Sequence, residues 1–375
     1  MKLCKNRKEL MIIFNYQIFV IMNLINHYKN IIENNIDLNS KIAIFPYGNQ
    51  GVEFKRILND VYGKKEQYII DNKLSKYNKE IVDFDEFLML TKEQFITIVL
   101  ATTQVELNEY LESEVRRKKA DCKIVNIINP VIIEDSLDDY WIELLFSLKL
   151  KSISEKDEFI RIGRNYDGGY IMLDDINDTM KAYSFGIFND ISWDKEMAER
   201  FGIKVEMYDH TIPREPEYHR LLSFHRIGIG QNDDIEHNLL SLKTILRDNE
   251  DAKNNNLILK MDVEGAEYDF INSTDENILK QFRQIIIELH KLDSKNIDII
   301  RAIKKLNKTH QLVWLHGNNY VKASRFENGV IMPHVLEVLF VNRDYYSFDD
   351  FKGSLPFEID QPNMYGVKDF KLGEW

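Results

Sequence analysis

The sequence predicts an α/β chain made of two successive open-sheet units, the second larger than the first. Three observations predict it. Short apolar runs alternate with amphipathic helical segments, once between Lys41 and Ile128 and again from Asp167 onward, as expected of parallel strands covered on both faces. Glycine or acidic residues follow several of these runs, at the edge where open parallel sheets hold ligands. Pro130 and the acidic cluster from Glu134 to Asp139 separate the two halves. A length of 375 residues also exceeds one ordinary core, and 44% hydrophobic and 11% aromatic residues suffice to bury two.

The elements follow in order. Lys2, Lys5, Arg7 and Lys8 precede an apolar stretch from Leu10 to Ile25 that imitates a signal peptide. Asn15, Gln17 and Asn23 interrupt it, and no small-residue cleavage site follows. It is also short for a membrane span, so residues 1–40 read as a helical segment, with Met22 an alternative start. A small unit over residues 41–130 begins with a buried strand at Lys41 to Pro46. The turn Tyr47-Gly48-Asn49-Gln50-Gly51 leads into a helix at Val52 to Val61. Further strands are predicted at Gln67 to Asn72, Phe95 to Ala101 and Lys123 to Ile128. Residues 131–160 read as a linker, with a helix from Tyr140 to Leu150. The second unit, residues 161–375, has predicted strands at Ala182 to Gly186, Lys204 to Tyr208, Leu257 to Met261, Gln284 to Glu288, Gln311 to Leu315 and Glu337 to Val341. Helices are expected at Trp193 to Phe201, Leu239 to Leu246 and Asn296 to Asn307.

Composition narrows the function classes. A net charge of −12 removes any broad attraction to phosphate backbones, so nucleic acid is not an expected partner. The one compact basic run, Arg116-Arg117-Lys118-Lys119, falls where a helix should end and suits the helix dipole. Cys4 and Cys122 stand far apart and outside any metal or redox pattern, which excludes a disulfide framework and suits a reducing cytoplasm. No segment predicts a stable membrane span.

Three features of the second unit are spaced for a nucleotide-type cofactor. Ser184, Phe185 and Gly186 close one strand, and Asp190 lies in the loop that follows. Asp209 ends the next strand, 23 positions after Gly186, where an acid can accept from both ribose hydroxyls. The third feature is Asp262-Val263-Glu264-Gly265-Ala266-Glu267, which gathers three carboxylates around a glycine at a strand end. Such crowding carries an electrostatic cost. Asp262, Glu264 and His290 are candidates for taking a proton from an acceptor. Glu267 sits at a helix start, where capping is the simpler role. Asp262, Glu288 and His290 form a candidate Mg²⁺ ligand set, because Glu288-x-His290 puts both side chains on one strand face.

These residues carry a family resemblance. Lys260-Met261-Asp262-Val263-Glu264-Gly265-Ala266-Glu267 resembles the Lys-x-Asp-Val-Glu-Gly-x-Glu signature of FkbM family methyltransferases. Asp167-Gly168-Gly169-Tyr170, Tyr183 to Asp190, Tyr208-Asp209, Gly228-Ile229-Gly230, Ile287 to His290 and His316 to Asn319 are similar to elements of one branch of that family, in the same order. The resemblance implies a seven-stranded, Rossmann-like class I methyltransferase sheet whose last strand runs antiparallel. It also implies S-adenosylmethionine as cofactor and methyl transfer to a hydroxyl of a small or carbohydrate acceptor. The sequence departs from the general methyltransferase pattern at Tyr183 to Asn189, where two glycines and a leading acid are missing. The segment from Ile42 to Asp71 resembles the small Rossmann-like domain of PglD-like sugar acetyltransferases. A glycine turn after one strand and Asp71-Asn72 after the next carry that likeness, which implies sugar or glycan-precursor biosynthesis. A docking turn that binds no ligand accounts for the same residues.

Two other functional readings remain. A binding or scaffold protein with a degenerate cofactor loop would keep the fold without the chemistry. A nicotinamide oxidoreductase fits poorly, since neither glycine turn has the Gly-x-Gly-x-x-Gly spacing.

Overall fold

The structure, a computed structural model, describes residues 25–154, 158–212, 214 and 216–375. The expected helix at Leu10 to Ile25 and the alternative start at Met22 fall outside or at the edge of these residues, and residues 25–35 are helical. The chain divides into two compact units: residues 1–133 with 365–368, and residues 134–364 with 369–375. Among the described residues, no helix is long and apolar enough to cross a membrane.

The first unit holds a four-stranded parallel sheet. Its strands are β1 (Ile42–Phe45), β2 (Tyr68–Ile69), β3 (Ile96–Leu100) and β4 (Cys122–Asn126), in the order β2-β1-β3-β4. Alternation along β1 explains its layers. Ile42 and Ile44 pack with Phe54, Ile57 and Leu58 of helix α1 (Asn49–Tyr62). Ala43 and Phe45 face the other way, onto Phe84 and Phe87 of α2 (Phe84–Leu90) and Leu111 and Val115 of α3 (Val105–Lys118). The basic run closes the last turn of α3, where Arg116 and Arg117 also pair with Glu112 and Glu114. β2 is shorter than the apolar run suggests, because Asp71 and Asn72 turn the chain away. Asp71 accepts from the Lys73 and Leu74 amides at 2.9 Å each, and Asn72 accepts from the Phe84 amide.

The helix expected at Tyr140 to Leu150 is present. Helix α4 (Asp139–Ser147), capped by the Asp138 carboxylate, belongs to the second unit. There Trp141 is fully buried, and the Ser147 carbonyl accepts from Asn307 Nδ2 at 2.7 Å. Conversely, residues 365–368 near the C-terminus belong to the first unit, where the Lys368 amide donates to the Ile128 carbonyl.

The second unit is built on a seven-stranded sheet. Its strands are β7 (Lys181–Phe185), β8 (Lys204–Tyr208), β9 (Leu222–His225), β10 (Leu257–Met261), β11 (Phe282–Leu289), β12 (His310–Gly317) and β13 (Leu336–Asn342), after a hairpin of β5 (Phe159–Gly163) and β6 (Gly169–Leu173). The order is β9-β8-β7-β10-β11-β13-β12, with β13 antiparallel to both neighbours and the other pairings parallel. Ala182, Val205, Met207, Ile258 and Ile286 meet Trp193 and Met197 of helix α5 (Ser192–Phe201) in one buried cluster. After helix α6 (Leu242–Asp248), helix α7 (Glu267–Ser273) packs against α8 (Ile297–Thr309), which also touches β12. Several strands have no counterpart among the predicted ones, among them the hairpin and the edge strand β9, whose Leu-Ser-Phe-His pattern is only half-buried. All parallel strands except β9 end at one edge on residues singled out from the sequence.

Candidate active site

Three strand ends build the candidate cofactor side. Gly186 follows β7 with φ +76°, and a Cβ placed there would lie 1.6 Å from the Asp262 carbonyl oxygen, so glycine alone fits. That close approach presses the loop after β7 against the loop after β10. The Asp262 amide donates to the Phe185 carbonyl at 3.0 Å, and Lys260 Nζ donates to the Gly186 carbonyl at 3.4 Å. Asp209, after β8, holds two loops at once. One carboxylate oxygen accepts from the Phe188 amide at 2.9 Å, and the other accepts from Thr211 N and Oγ1 at 2.8 and 2.7 Å. Burial would raise the Asp209 pKa, but these hydrogen bonds outweigh it and hold the carboxyl below its usual range. Phe188 itself has φ +41° and an exposed side chain beside this acid, a strained backbone of the kind that concentrates at ligand sites.

The other expected cofactor residues are placed differently. Ser184 and Phe185 are buried within the sheet, Phe185 stacking on Tyr208 with ring centroids 5.1 Å apart, so neither side chain reaches the edge. Asp190 is engaged in holding the loop. It accepts from the Ser192 amide at the start of α5 and pairs with Arg164 Nε at 3.0 Å.

The expected acceptor residues do converge. His290, just after β11, has Nε2 3.7 Å from Asp262 Oδ1, 3.5 Å from Glu264 Oε2 and 3.8 Å from Glu288 Oε2. Glu264 is a non-glycine residue at φ +56°, with its side chain 86% exposed. The capping role expected for Glu267 is not what the structure shows. Its fully buried carboxylate accepts from the Gly265 amide at 2.8 Å, from the His290 amide at 2.7 Å and from His290 Nδ1 at 3.1 Å. Because a carboxylate only accepts, Nδ1 carries a proton and Nε2 is turned toward the acids. Burial alone would lower the His290 pKa. The Glu267 hydrogen bond and charge, reinforced by Asp262 and Glu264, raise it above the ordinary value instead.

Further polar groups complete this end. Tyr170 Oη, on β6, donates to Asp262 Oδ2 at 3.2 Å, and Asn318 Nδ2 donates to Glu288 Oε1 at 2.6 Å. Glu288 lies directly opposite Glu337 in the β11–β13 register, an unfavourable pairing of like charges. Burial, then Asp262 and Glu337, push the Glu288 pKa well above the usual range. Glu337 is neutralised from its other side. His316 Nδ1 lies 3.2 Å from it while Nε2 meets Asp369 at 2.8 Å. Burial works against the His316 charge, yet the two carboxylates prevail and push its pKa up to about 10. Asp167, on the β5–β6 turn, is pushed up to about 6 by burial and by Glu337, against the pull of Arg164. The quoted segments Asp167 to Tyr170 and His316 to Asn319 were the available signal for this second layer, since each supplies a partner to a strand-end acid.

Residues 200–310 match the methyltransferase FkbM domain, a span that contains Asp209, Asp262, Glu264, Glu267, Glu288 and His290. The crystal structure of methyltransferase FkbM from Methylobacillus flagellatus KT is similar over 84% of this chain and 93% of that one, at 10% identity and a TM-score of 0.40. No curated protein matches the chain.

Proposed function

We propose that the second unit is an S-adenosylmethionine-dependent methyltransferase that modifies a hydroxyl of a sugar or glycan precursor. The observation that carries this reading is the methyltransferase FkbM domain over residues 200–310, which spans both the Asp209 side and the Asp262–His290 side of one sheet edge. The residues present fit the cofactor. Asp209 Oδ2 accepts a single hydrogen bond, which leaves it a lone pair for a ribose hydroxyl. Glycine at 186 lets the loop after β7 lie against the loop after β10, beside Asp209. When bound, S-adenosylmethionine supplies a methyl group already activated by a positive sulfur. The chain's task is then alignment and proton removal. Asp262 and Glu264 are the carboxylates available to take the acceptor proton. His290, held through Nδ1 by Glu267, turns Nε2 toward the two acids. The carbohydrate class of acceptor draws on the resemblance of the first unit to PglD-like acetyltransferases and on the FkbM resemblance.

One observation favours a binding protein instead. Only Gly186 of the usual glycine-rich loop is present, and Asp209 is already engaged by Phe188 and Thr211. Calorimetry of the full chain with S-adenosylmethionine and, separately, with NAD decides between the readings. Saturable binding of S-adenosylmethionine alone is expected. Failure to bind it, in a folded chain, would sink the methyltransferase reading.

A further inference from the structure

The three side chains nearest the centre of the acid cluster share one arrangement. Each is pinned by one of its polar atoms and leaves the other free. His290 is held through Nδ1 by Glu267, Asp262 through Oδ2 by Tyr170, and Glu288 through Oε1 by Asn318. The atoms left over are His290 Nε2, Asp262 Oδ1 and Glu288 Oε2, with Nε2 3.7 Å from Oδ1 and 3.8 Å from Oε2, and the three residues can each offer a ligand atom within 4.8 Å of the others'. Glu288 is 94% buried, with 6% of its surface exposed, and its Oε2 has no hydrogen-bond donor among the described residues. Lone pairs turned toward one point repel one another, and burial beside Glu337 in the next strand sharpens the cost. A cation at that point reverses the sign of every one of these interactions.

We propose that Asp262 Oδ1, Glu288 Oε2 and His290 Nε2 bind one divalent metal ion, with Mn²⁺ favoured over Mg²⁺ and Ca²⁺. The geometry needs little adjustment. Ligand atoms at about 2.0–2.2 Å from an ion stand roughly 3–3.6 Å apart, and the distances from His290 Nε2 to Asp262 and Glu288 are 3.7 and 3.8 Å. Imidazole among the ligands favours a transition ion over the hard, all-oxygen preference of Mg²⁺ and Ca²⁺. Glu267, Tyr170 and Asn318 supply the outer partners that fix ligand orientation at metal sites. Glu264 remains outside the ligand set, free to receive a proton. The site goes beyond the methyl-transfer reading and stands or falls without it, because none of its ligands is needed to hold the cofactor.

The test is an electron paramagnetic resonance titration of the metal-stripped full chain with Mn²⁺, with no other ligand present. Competition by Mg²⁺ and Ca²⁺ follows, and S-adenosylmethionine binding is measured separately by calorimetry. One saturable Mn²⁺ site is expected. Glu288→Gln should weaken it by about 100-fold or more, and Tyr170→Phe by about 10- to 100-fold, the range for outer partners. Near-ultraviolet circular dichroism checks that each variant is folded, and Tyr170→Phe carries the test if Glu288→Gln is not. Absence of a saturable site would overturn the proposal, as would unchanged affinity in a folded variant. Equal affinity for Ca²⁺ and Mn²⁺ would remove His290 from the ligand set and overturn it as stated.

Discussion

Asp71 and Asp209 each follow the second strand of their sheet, beside a strand that ends in a glycine turn, yet their carboxylates are used differently. Asp71 accepts from Lys73 and Leu74 and so closes its own turn. No hydrogen bond joins it to the Gly48–Gly51 turn among the described residues. Asp209 also closes its own turn, through Thr211, but its second oxygen crosses to Phe188 in the neighbouring loop. A strand-end acid is a turn-former by default. It becomes part of a preformed ligand edge when it also fixes the loop beside it. The units differ in the same sense at their remaining strand ends, since only the second carries the cluster of Asp262, Glu264, Glu288 and His290.

Four experiments probe that difference, from the largest effect to the smallest. Asp262→Ala and His290→Ala should lower single-turnover methyl transfer by about 10²–10⁴-fold while S-adenosylmethionine affinity, measured by calorimetry, stays nearly constant. Near wild-type turnover in both would make the cluster structural and move the acceptor elsewhere. Gly186→Ala should destabilise the chain by more than the roughly 1–3 kcal/mol expected of its φ alone, because the added carbon meets the Asp262 carbonyl. Gly51→Ala, whose added carbon would lie 2.7 Å from the Pro46 carbonyl oxygen without a positive φ, should cost less. Urea midpoints of the two variants rank them, and the reverse order would contradict the close approach at Gly186. Asp209→Ala should weaken S-adenosylmethionine binding by about 1.5–3 kcal/mol, whereas Asp71→Ala should leave it unchanged. Equal losses would mean that the first unit also takes part in binding. The last experiment concerns pH, where the effect is spread over several pH units and is small at any one step. His316 has a folded pKa of about 10, above its ordinary value of 6.5, so its stabilisation is complete below pH 6.5 and is lost as pH rises through 10. Stability should therefore decline between these limits by at most about 1.4 kcal/mol per pH unit. His316→Gln should flatten that decline, and an identical slope in both chains would show that other groups set it.

Much of the fold was legible because buried parallel strands leave continuous apolar runs. The runs at Lys204 to Tyr208 and Leu257 to Met261 coincide with β8 and β10. β9 escaped because an edge strand half open to water alternates weakly, and Leu222 to His225 is too short to compensate. The helix at Tyr140 to Leu150 was legible as a helix but not as a member of the second unit, since its partners Leu292 and Asn307 lie more than a hundred residues downstream. At the site, the strand-end acids were readable from position alone. What Glu267 does was not. A helix start predicts capping, while the reach of its carboxylate to His290 depends on how α7 sits beside β11. The pairing of Glu288 with Glu337 was hidden for a related reason, because cross-strand register is written in neither strand.

That register also says something about when the site comes into being. β13 lies between β11 and β12, both of which precede it in the chain, and Ile285 must wait for Phe340 before its side of the sheet is closed. A chain emerging from the ribosome makes the Asp209 edge, the Asp262 loop and His290 well before the strand that joins the two halves of the sheet. Glu337 arrives with that strand, while Asp369, the other acid on His316, and Asn363, which donates to Glu337, arrive later still. Pairings of such sequence separation form slowly and leave strand edges open in the meantime. A nascent or truncated chain that stops before residue 336 would thus display β11 and β12 as unpaired edges with carboxylates already gathered at their ends. It would be a target for chaperones or proteases rather than a partly active enzyme.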